Sequence, residues 1–443
     1  MVRKVTFHCI IGIVICLCNG NLYAQKGVLS SRWFHPIDKA DTLETISVIR
    51  LLKPDRIDWT YCDDPSILKK YSSRGLRYSL AMNPQIPDSA GFTTTAKYRI
   101  KTMNGTPYAA SWMKGWKIPN PYWGCVNNPY FKQLFLKRAK QLIDLNAYAL
   151  FVDDPLFNVQ LQRETHDMGG CVCNYCLKGF QDYAAVSNGM GKLSGHDLLA
   201  NIKDAVSNKK NTRLLAEYKE YQKASVVAFL KNWKTEIVNY KKNIKILTNN
   251  FRGKWDDIYL NFDGGIAEIQ EQDLNYTTLD TLFRTSDKFN KSQLLTLVSS
   301  DEYAHNYLIA YLISKKRDYL LPWDLFVPGA GNANRYYADT DRLKSFIKFL
   351  KKKNTVIKYG AAPSVFSKNK WYGVEYDENE NINYITLYTN AGTRRLNAIL
   401  YTVAGLLLCM LTFIIARIFL KRFKNKTVRS TNFTPFHNAI QSS

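Results

Sequence analysis

Tyr148-Ala149-Leu150-Phe151-Val152-Asp153-Asp154-Pro155 decides the fold. An apolar run this short, closed by two carboxylates and a proline, reads as a buried parallel strand delivering its acids to a barrel mouth. On either side of it, strand-like runs alternate with amphipathic helical stretches, the pattern of β/α units and not of a sandwich. Eight strands are expected: Val28 to His35, Arg56 to Tyr61, Arg77 to Asn83, Tyr148 to Asp154, Ile244 to Asn249, Gly265 to Glu271, Leu294 to Ser300 and Tyr319 to Phe326. The helices between them are expected at Asp41 to Leu52, Asn128 to Leu145, Leu214 to Tyr240, Tyr276 to Phe289, Asn306 to Lys316 and Thr340 to Lys353. Eight strands over roughly 300 residues predict one α/β domain, a (β/α)8 TIM barrel over residues 25–355.

Two segments interrupt the alternation, residues 84–127 after the third strand and 155–213 after the fourth. Long loops at the carboxyl ends of strands are where such a barrel builds its site. Beyond the barrel, Trp371 to Thr389 alternates polar and apolar residues around Asp377-Glu378-Asn379-Glu380. That pattern predicts a hairpin in a small juxtamembrane β element over residues 356–392.

The two ends carry their own signals. Arg3-Lys4, an apolar run from Val5 to Cys18, and Asn21-Leu22-Tyr23-Ala24 before Gln25 have the layout of a secretory signal peptide, residues 1–24. Residues 396–419 are apolar, with no charge before Arg417, which is long enough for a single transmembrane helix. From Arg417 onward the chain holds six Lys or Arg and no acid, so the positive-inside rule puts the tail, 420–443, in the cytoplasm. The barrel is then expected outside, on a single-pass membrane protein, with the periplasmic side of a bacterial envelope as its setting.

The formal charge of the chain is +24. Two basic residues in the signal and six in the tail leave +16 elsewhere, suited to anionic lipid headgroups or acidic glycans, or to no specific partner. An exported chain without an interleaved basic motif is not expected to bind nucleic acid. Oligomeric state is left open.

Of nine cysteines, Cys62, Cys125, Cys171, Cys173 and Cys176 fall outside the signal and the apolar tail segment. Cys171-Val172-Cys173-Asn174-Tyr175-Cys176 is too tightly spaced for bridging within itself, and with Cys125 it can close a tetrahedral thiolate shell. Disulfides to Cys125 or Cys62 are the alternative for an exported chain.

Carboxylates, amides and aromatics collect at the ends of the predicted strands. Glycoside hydrolysis needs two carboxyls flanking the bond, and sugar rings stack on aromatic faces. Asp153 and Asp154 end the fourth strand, and alternation lets one of them point into the mouth, Asp154 being slightly favoured. The partner is offered by Glu268 and Glu271 on the sixth strand, with Glu271 preferred there, or by Asp301 and Glu302 after the seventh. Asp301 fits helix capping equally well. Trp33, His35, Trp59, Tyr61, Asn83, Asn249, Trp323 and Asp324 are candidates for substrate contact, and His305 is a weaker one.

The order Cys125, Cys171, Cys173, Cys176, followed by Phe180 and Tyr183, resembles family 42 β-galactosidases and related barrel glycosidases. That resemblance implies a structural zinc near the active-site face. It also implies an acid/base Glu after the fourth strand, preceded by Asn, and a nucleophilic Glu after the seventh. Here Asp153-Asp154 and Ser300-Asp301-Glu302 stand at those places. An Asp at the end of the fourth strand is closer to fucosidase-like barrels, where it looks like the nucleophile. Four thiolates would leave the zinc no open position, so it would staple loops and take no part in catalysis. The expectation is a membrane-anchored glycoside hydrolase without a catalytic cofactor, with a catalytically silent glycan-binding barrel as the alternative.

Overall fold

The structure, a computed structural model, describes residues 27–30, 49–50, 52–85, 98–111, 121–165, 169–188, 195–208, 212–299, 301–322, 340–352, 356–361, 371–376, 382–389, 410 and 412. Eight parallel strands build one sheet: β1 (Gly27–Ser30), β2 (Arg56–Thr60), β3 (Arg77–Met82), β4 (Ala149–Val152), β5 (Lys245–Asn249), β6 (Gly264–Gln270), β7 (Ser292–Val298) and β8 (Tyr319–Pro322). Their order is β7-β6-β5-β4-β3-β2-β1-β8. Because β8 pairs back onto β1 and lies beside β7, the sheet curls into a nearly closed barrel. All four residues of β4 are buried, as a strand covered on both faces requires.

Alternation sorts the side chains. Val28, Trp59, Ala81, Phe151, Ile266, Leu294 and Leu320 fill the barrel interior, while Ile57, Leu80, Leu150, Val152, Ile246 and Leu295 face the helix layer. Helices α1 (Pro65–Ser72) and α2 (Pro129–Asp144) follow β2 and β3. After β4 come α3 (Asn158–Thr165), α4 (Asn174–Asn188), α5 (Gly195–Ser207) and the long α6 (Arg213–Tyr240). Then α7 (Tyr276–Lys288), α8 (Glu302–Ser314) and α9 (Thr340–Leu350) follow β6, β7 and β8. Helix starts obey local chemistry: the side chains of Asp64, Asn128, Thr212, Asn275 and Asp301 each accept a backbone N–H of the first turn.

Three helices, α3 to α5, occupy what the sequence presents as a loop. Helices α4 and α5 form a second small core with α6, in which Phe180, Leu198, Ile202, Leu215 and Tyr218 are buried, while Leu161 of α3 packs with the cysteines. Helix α8 begins four residues before its expected start. Its buried residues run without a break from Ala304 to Leu312, so no polar stripe marks its period.

What covers α8 is a three-stranded sheet, β9 (Val356–Gly360), β10 (Tyr372–Tyr376) and β11 (Ile382–Tyr388), in the order β10-β11-β9. Strands β10 and β11 are antiparallel, and β9 adds a parallel third. Tyr307 Oη donates to the carbonyl of Tyr388 at 3.2 Å, and Trp371 Nε1 donates to Asp301 Oδ2 at 2.8 Å. The sheet therefore docks beside the carboxyl end of β7. No helix among the described residues is long and apolar enough to cross a membrane. Residues 1–24 lie outside the described residues, as does 396–443 apart from Met410 and Thr412.

Candidate active site and cysteine cluster

Phe151 points into the barrel, and two residues on Asp153 keeps that face and reaches the mouth. Its side chain is buried, 4% exposed. Oδ2 accepts hydrogen bonds from Trp59 Nε1 at 3.2 Å and from Tyr61 Oη at 2.6 Å. Oδ1 is buried and has no hydrogen-bond partner of ordinary geometry. Asn249 spends its Oδ1 on the N–H of Phe251, at 2.9 Å, which leaves its amide nitrogen to ease the ionised form of Asp153.

Burial pushes the Asp153 carboxyl up to about 6, with the Tyr61 hydroxyl opposing and the Glu268 carboxylate adding to the rise. Asp154 follows in the left-handed region, φ 48°. Burial, then the negative charges of Asp153 and Glu268, holds it well above the usual carboxylate range, against the pull of Arg163. Glu268 sits two residues beyond the inward-facing Ile266 on β6, so it shares the interior face. These three carboxyls form one electrostatic group.

Among the residues expected at the site, Tyr61, Asn83, Asp153, Asp154 and Asn249 come together. Asn83 hydrogen-bonds the Tyr61 hydroxyl, and Tyr61 in turn holds Asp153. Trp59 also belongs to this group but is fully buried, stacked on Phe151 with ring centroids 4.7 Å apart. It is a floor beneath Asp153 and presents no open face for a sugar ring. Glu271 lies just past β6 in a 3-10 turn and accepts Ser299 Oγ at 2.5 Å. Glu302 opens α8 in the turn capped by Asp301. His305 is buried with Nε2 2.9 Å from the carbonyl of Ser299. Trp33, His35, Trp323 and Asp324 lie outside the described residues.

Other polar groups were not apparent from sequence. Thr296 pairs with Glu268 in the β6–β7 register, and its buried hydroxyl has no partner among the described residues. Inward parity from Leu294 would have marked it. Gln85, fully buried and with no partner for either amide atom among the described residues, sits three residues past β3 with no sequence signal of its own. Arg163 of α3 stacks 3.8 Å over the ring of Phe251, a pairing that depends on the unforeseen helix.

Beside the mouth, the sulfurs of Cys125, Cys171, Cys173 and Cys176 all lie within 4.8 Å of one another. No disulfide joins them. Cys125 Sγ is 3.6 Å from that of Cys173 and 3.4 Å from that of Cys176, near the edge of about 3.8 Å that a tetrahedron of 2.3 Å zinc–sulfur bonds demands. N–H groups surround the sulfurs: Lys101 N to Cys171 at 3.3 Å, Asn127 Nδ2 to Cys176 at 3.3 Å and Asn158 Nδ2 to Cys176 at 3.4 Å. Hydrogen bonds from the neighbouring thiols hold Cys173 far below the thiol range, whereas burial pushes Cys171 and Cys176 well above it. Four thiolates packed this closely need a cation among them. The donor set, spacing and outer N–H groups fit such an ion.

No family model and no curated protein matches the sequence. Among solved structures, the chain is similar to a Rahnella β-galactosidase, at 9% identity and a TM-score of 0.50, covering 76% of this chain and 59% of that one. It is also similar to a Marinomonas β-galactosidase, at 11% identity and a TM-score of 0.47, over 74% and 59% of the two chains. A third is the α-L-fucosidase isoenzyme 2 of Paenibacillus thiaminolyticus, at 10% identity and 0.45, over 82% and 58%. The chain thus spans about three-fifths of the length of these proteins, and the barrel is what the first likeness shows.

Proposed function

We propose that this chain is an exported, membrane-anchored glycoside hydrolase acting on a carbohydrate at the carboxyl end of its barrel. The observation that carries the reading is the buried Asp153, raised by its site and sharing the interior face of the barrel with Glu268, two strands away on β6. Glycoside hydrolysis asks for two carboxyls on opposite sides of a bond, in different protonation states. Asp153, with two donors on one oxygen, is the group best built to stay ionised, as nucleophile or as base toward water. Glu268, on the same interior face, is the second carboxyl of the proposed pair. Asp154, whose burial and then its acidic neighbours favour the protonated form, donates to substrate hydroxyls. Glu271 and Glu302 stay candidates at the rim.

Zinc on Cys125, Cys171, Cys173 and Cys176 would tie the loop after β3 to the insertion after β4 and leave the chemistry to the carboxyls. Residues 396–419 are the proposed anchor, with residues 1–24 as the export signal.

The test is turnover of nitrophenyl glycosides and envelope polysaccharides by the full-length chain in mild detergent. Asp153→Asn and Glu268→Gln are each expected to lower kcat on the order of a thousandfold or more, with the fold intact. Saturable glycan binding without turnover on any substrate would replace the hydrolase with a silent glycan-binding barrel.

A further inference from the structure

Strand β2 breaks the alternation of the barrel at one place. Ile57 faces the helix layer and Trp59 faces the interior, although two residues apart on a regular strand would share a face. The pairing to β3 records the cause: Ile57 lies opposite Tyr78 and Thr60 opposite Leu80, so β2 carries one extra residue there. Trp59 has φ 61°, the left-handed region, which a bulky side chain occupies only under constraint. Its backbone N–H is taken by Ser79 Oγ at 2.9 Å, which pins the bulge.

The bulge turns both Trp59 and Tyr61 toward Asp153, and both donate to the same oxygen, Oδ2. The other oxygen, also buried, has no hydrogen bond of ordinary geometry among the described residues, and the Asn249 amide adds to the donors that favour the ionised form. A core carboxylate kept only for stability would have both oxygens satisfied.

We infer that Trp59 and Tyr61 are positioning residues, a two-donor clamp that holds Asp153 by Oδ2 and presents Oδ1 to the ligand. This rests on the reading of Asp153 as a site carboxylate. The clamp acts on orientation and on charge, because donors to a carboxylate favour its ionised form. The other titratable and charged groups around Asp153 are Asp154 beside it, Glu268 from β6 and Tyr259, with Arg163 and Glu164 of α3 reaching Asp154.

The experiment reads the Asp153 carboxyl itself, by carbon-13 NMR of the full-length chain labelled at aspartate carboxyls, with Asp153→Asn identifying the resonance. Trp59→Phe keeps an aromatic ring on Phe151 and removes the N–H; Tyr61→Phe removes only the hydroxyl. Each is expected to raise the titration midpoint of Asp153 by about half a unit to one unit. The acid limb of kcat/KM should move up in pH by the same amount. If neither variant moves the midpoint, the clamp is overturned, whatever happens to turnover. If the midpoint moves and no glycoside is ever hydrolysed, the clamp stands and the hydrolase falls. Should Trp59→Phe unfold the chain, Tyr61→Phe decides the question alone.

Discussion

Asp153 is held in a form that folding does not favour at neutral pH, and the sign of that cost can be worked out. Its carboxyl titrates near 6 in the fold and near 3.9 in an unfolded chain. Between those values the native state binds more protons than the unfolded one, so stability falls as pH rises through the window and is level above it. The loss is at most about 3 kcal/mol, shared with Asp154 because the two buried carboxyls act on each other. Asp153→Asn removes the charge and leaves an oxygen for Trp59 and Tyr61. It should therefore melt above the wild type at pH 8 and not at pH 4, by calorimetry; an equal difference at both would refute the assignment. Glu268→Gln removes a neighbouring negative charge, so it should move the Asp153 midpoint down in NMR titration. At this scale, sequence pointed to the Asp153-Asp154 pair, since an apolar run ending in acids has few other uses. It favoured Asp154 slightly, whereas the inward parity of Phe151 brings Asp153 to the mouth. It could not place the indole of Trp59 under Asp153, because the extra residue in β2 has no Gly or Pro to announce it.

Among the elements, those whose chemistry is local were legible and those whose packing is remote were not. Asn128-Pro129 marks the start of α2, since a capping side chain and a fixed φ act within one turn; Asp64-Pro65 starts α1 in the same way, a short helix that was not expected from the sequence. The insertion helices α4 and α5 gave no comparable signal, because their apolar faces serve a small core of their own and not the barrel. The cysteines that brace this insertion are a different case. Their spacing was readable, and the structure brings the four sulfurs together across the two loops. Cys173→Ser should lower the bound metal from one zinc per chain, read by atomic emission, and expose the 98–125 and 169–188 segments to hydrogen exchange. Unchanged zinc and exchange would mean the thiolates are not a metal shell. The start of α8 allows a second test. Asp301 caps two backbone N–H groups and accepts the indole of Trp371, so Asp301→Ala should cost about 1–2 kcal/mol in denaturant unfolding. Trp371→Phe should lose only the share that belongs to the sheet.

Across the whole molecule, the three-stranded sheet is docked on the barrel through the cap of α8. Trp371, fully buried, ties that sheet to the cap of α8, and Asp301 N in turn donates to Ser299 Oγ, which donates to Glu271 at the barrel rim. An anchor at 396–419 would begin only a few residues after β11, so the sheet would hold the barrel close to the bilayer. The uncharged run and the basic residues after it make that anchor energetically reasonable: a helix of about 20 apolar residues spans the hydrocarbon, and cations are retained on the cytoplasmic side. A chain ending at Thr389 should therefore leave the membrane fraction, while the full chain should stay through high salt and alkaline carbonate. External protease should reach the barrel and spare an epitope placed after Ser443. Extraction of the full chain by salt alone would instead assign membrane attachment to the positive charge of the surface, which screening removes and hydrocarbon burial does not.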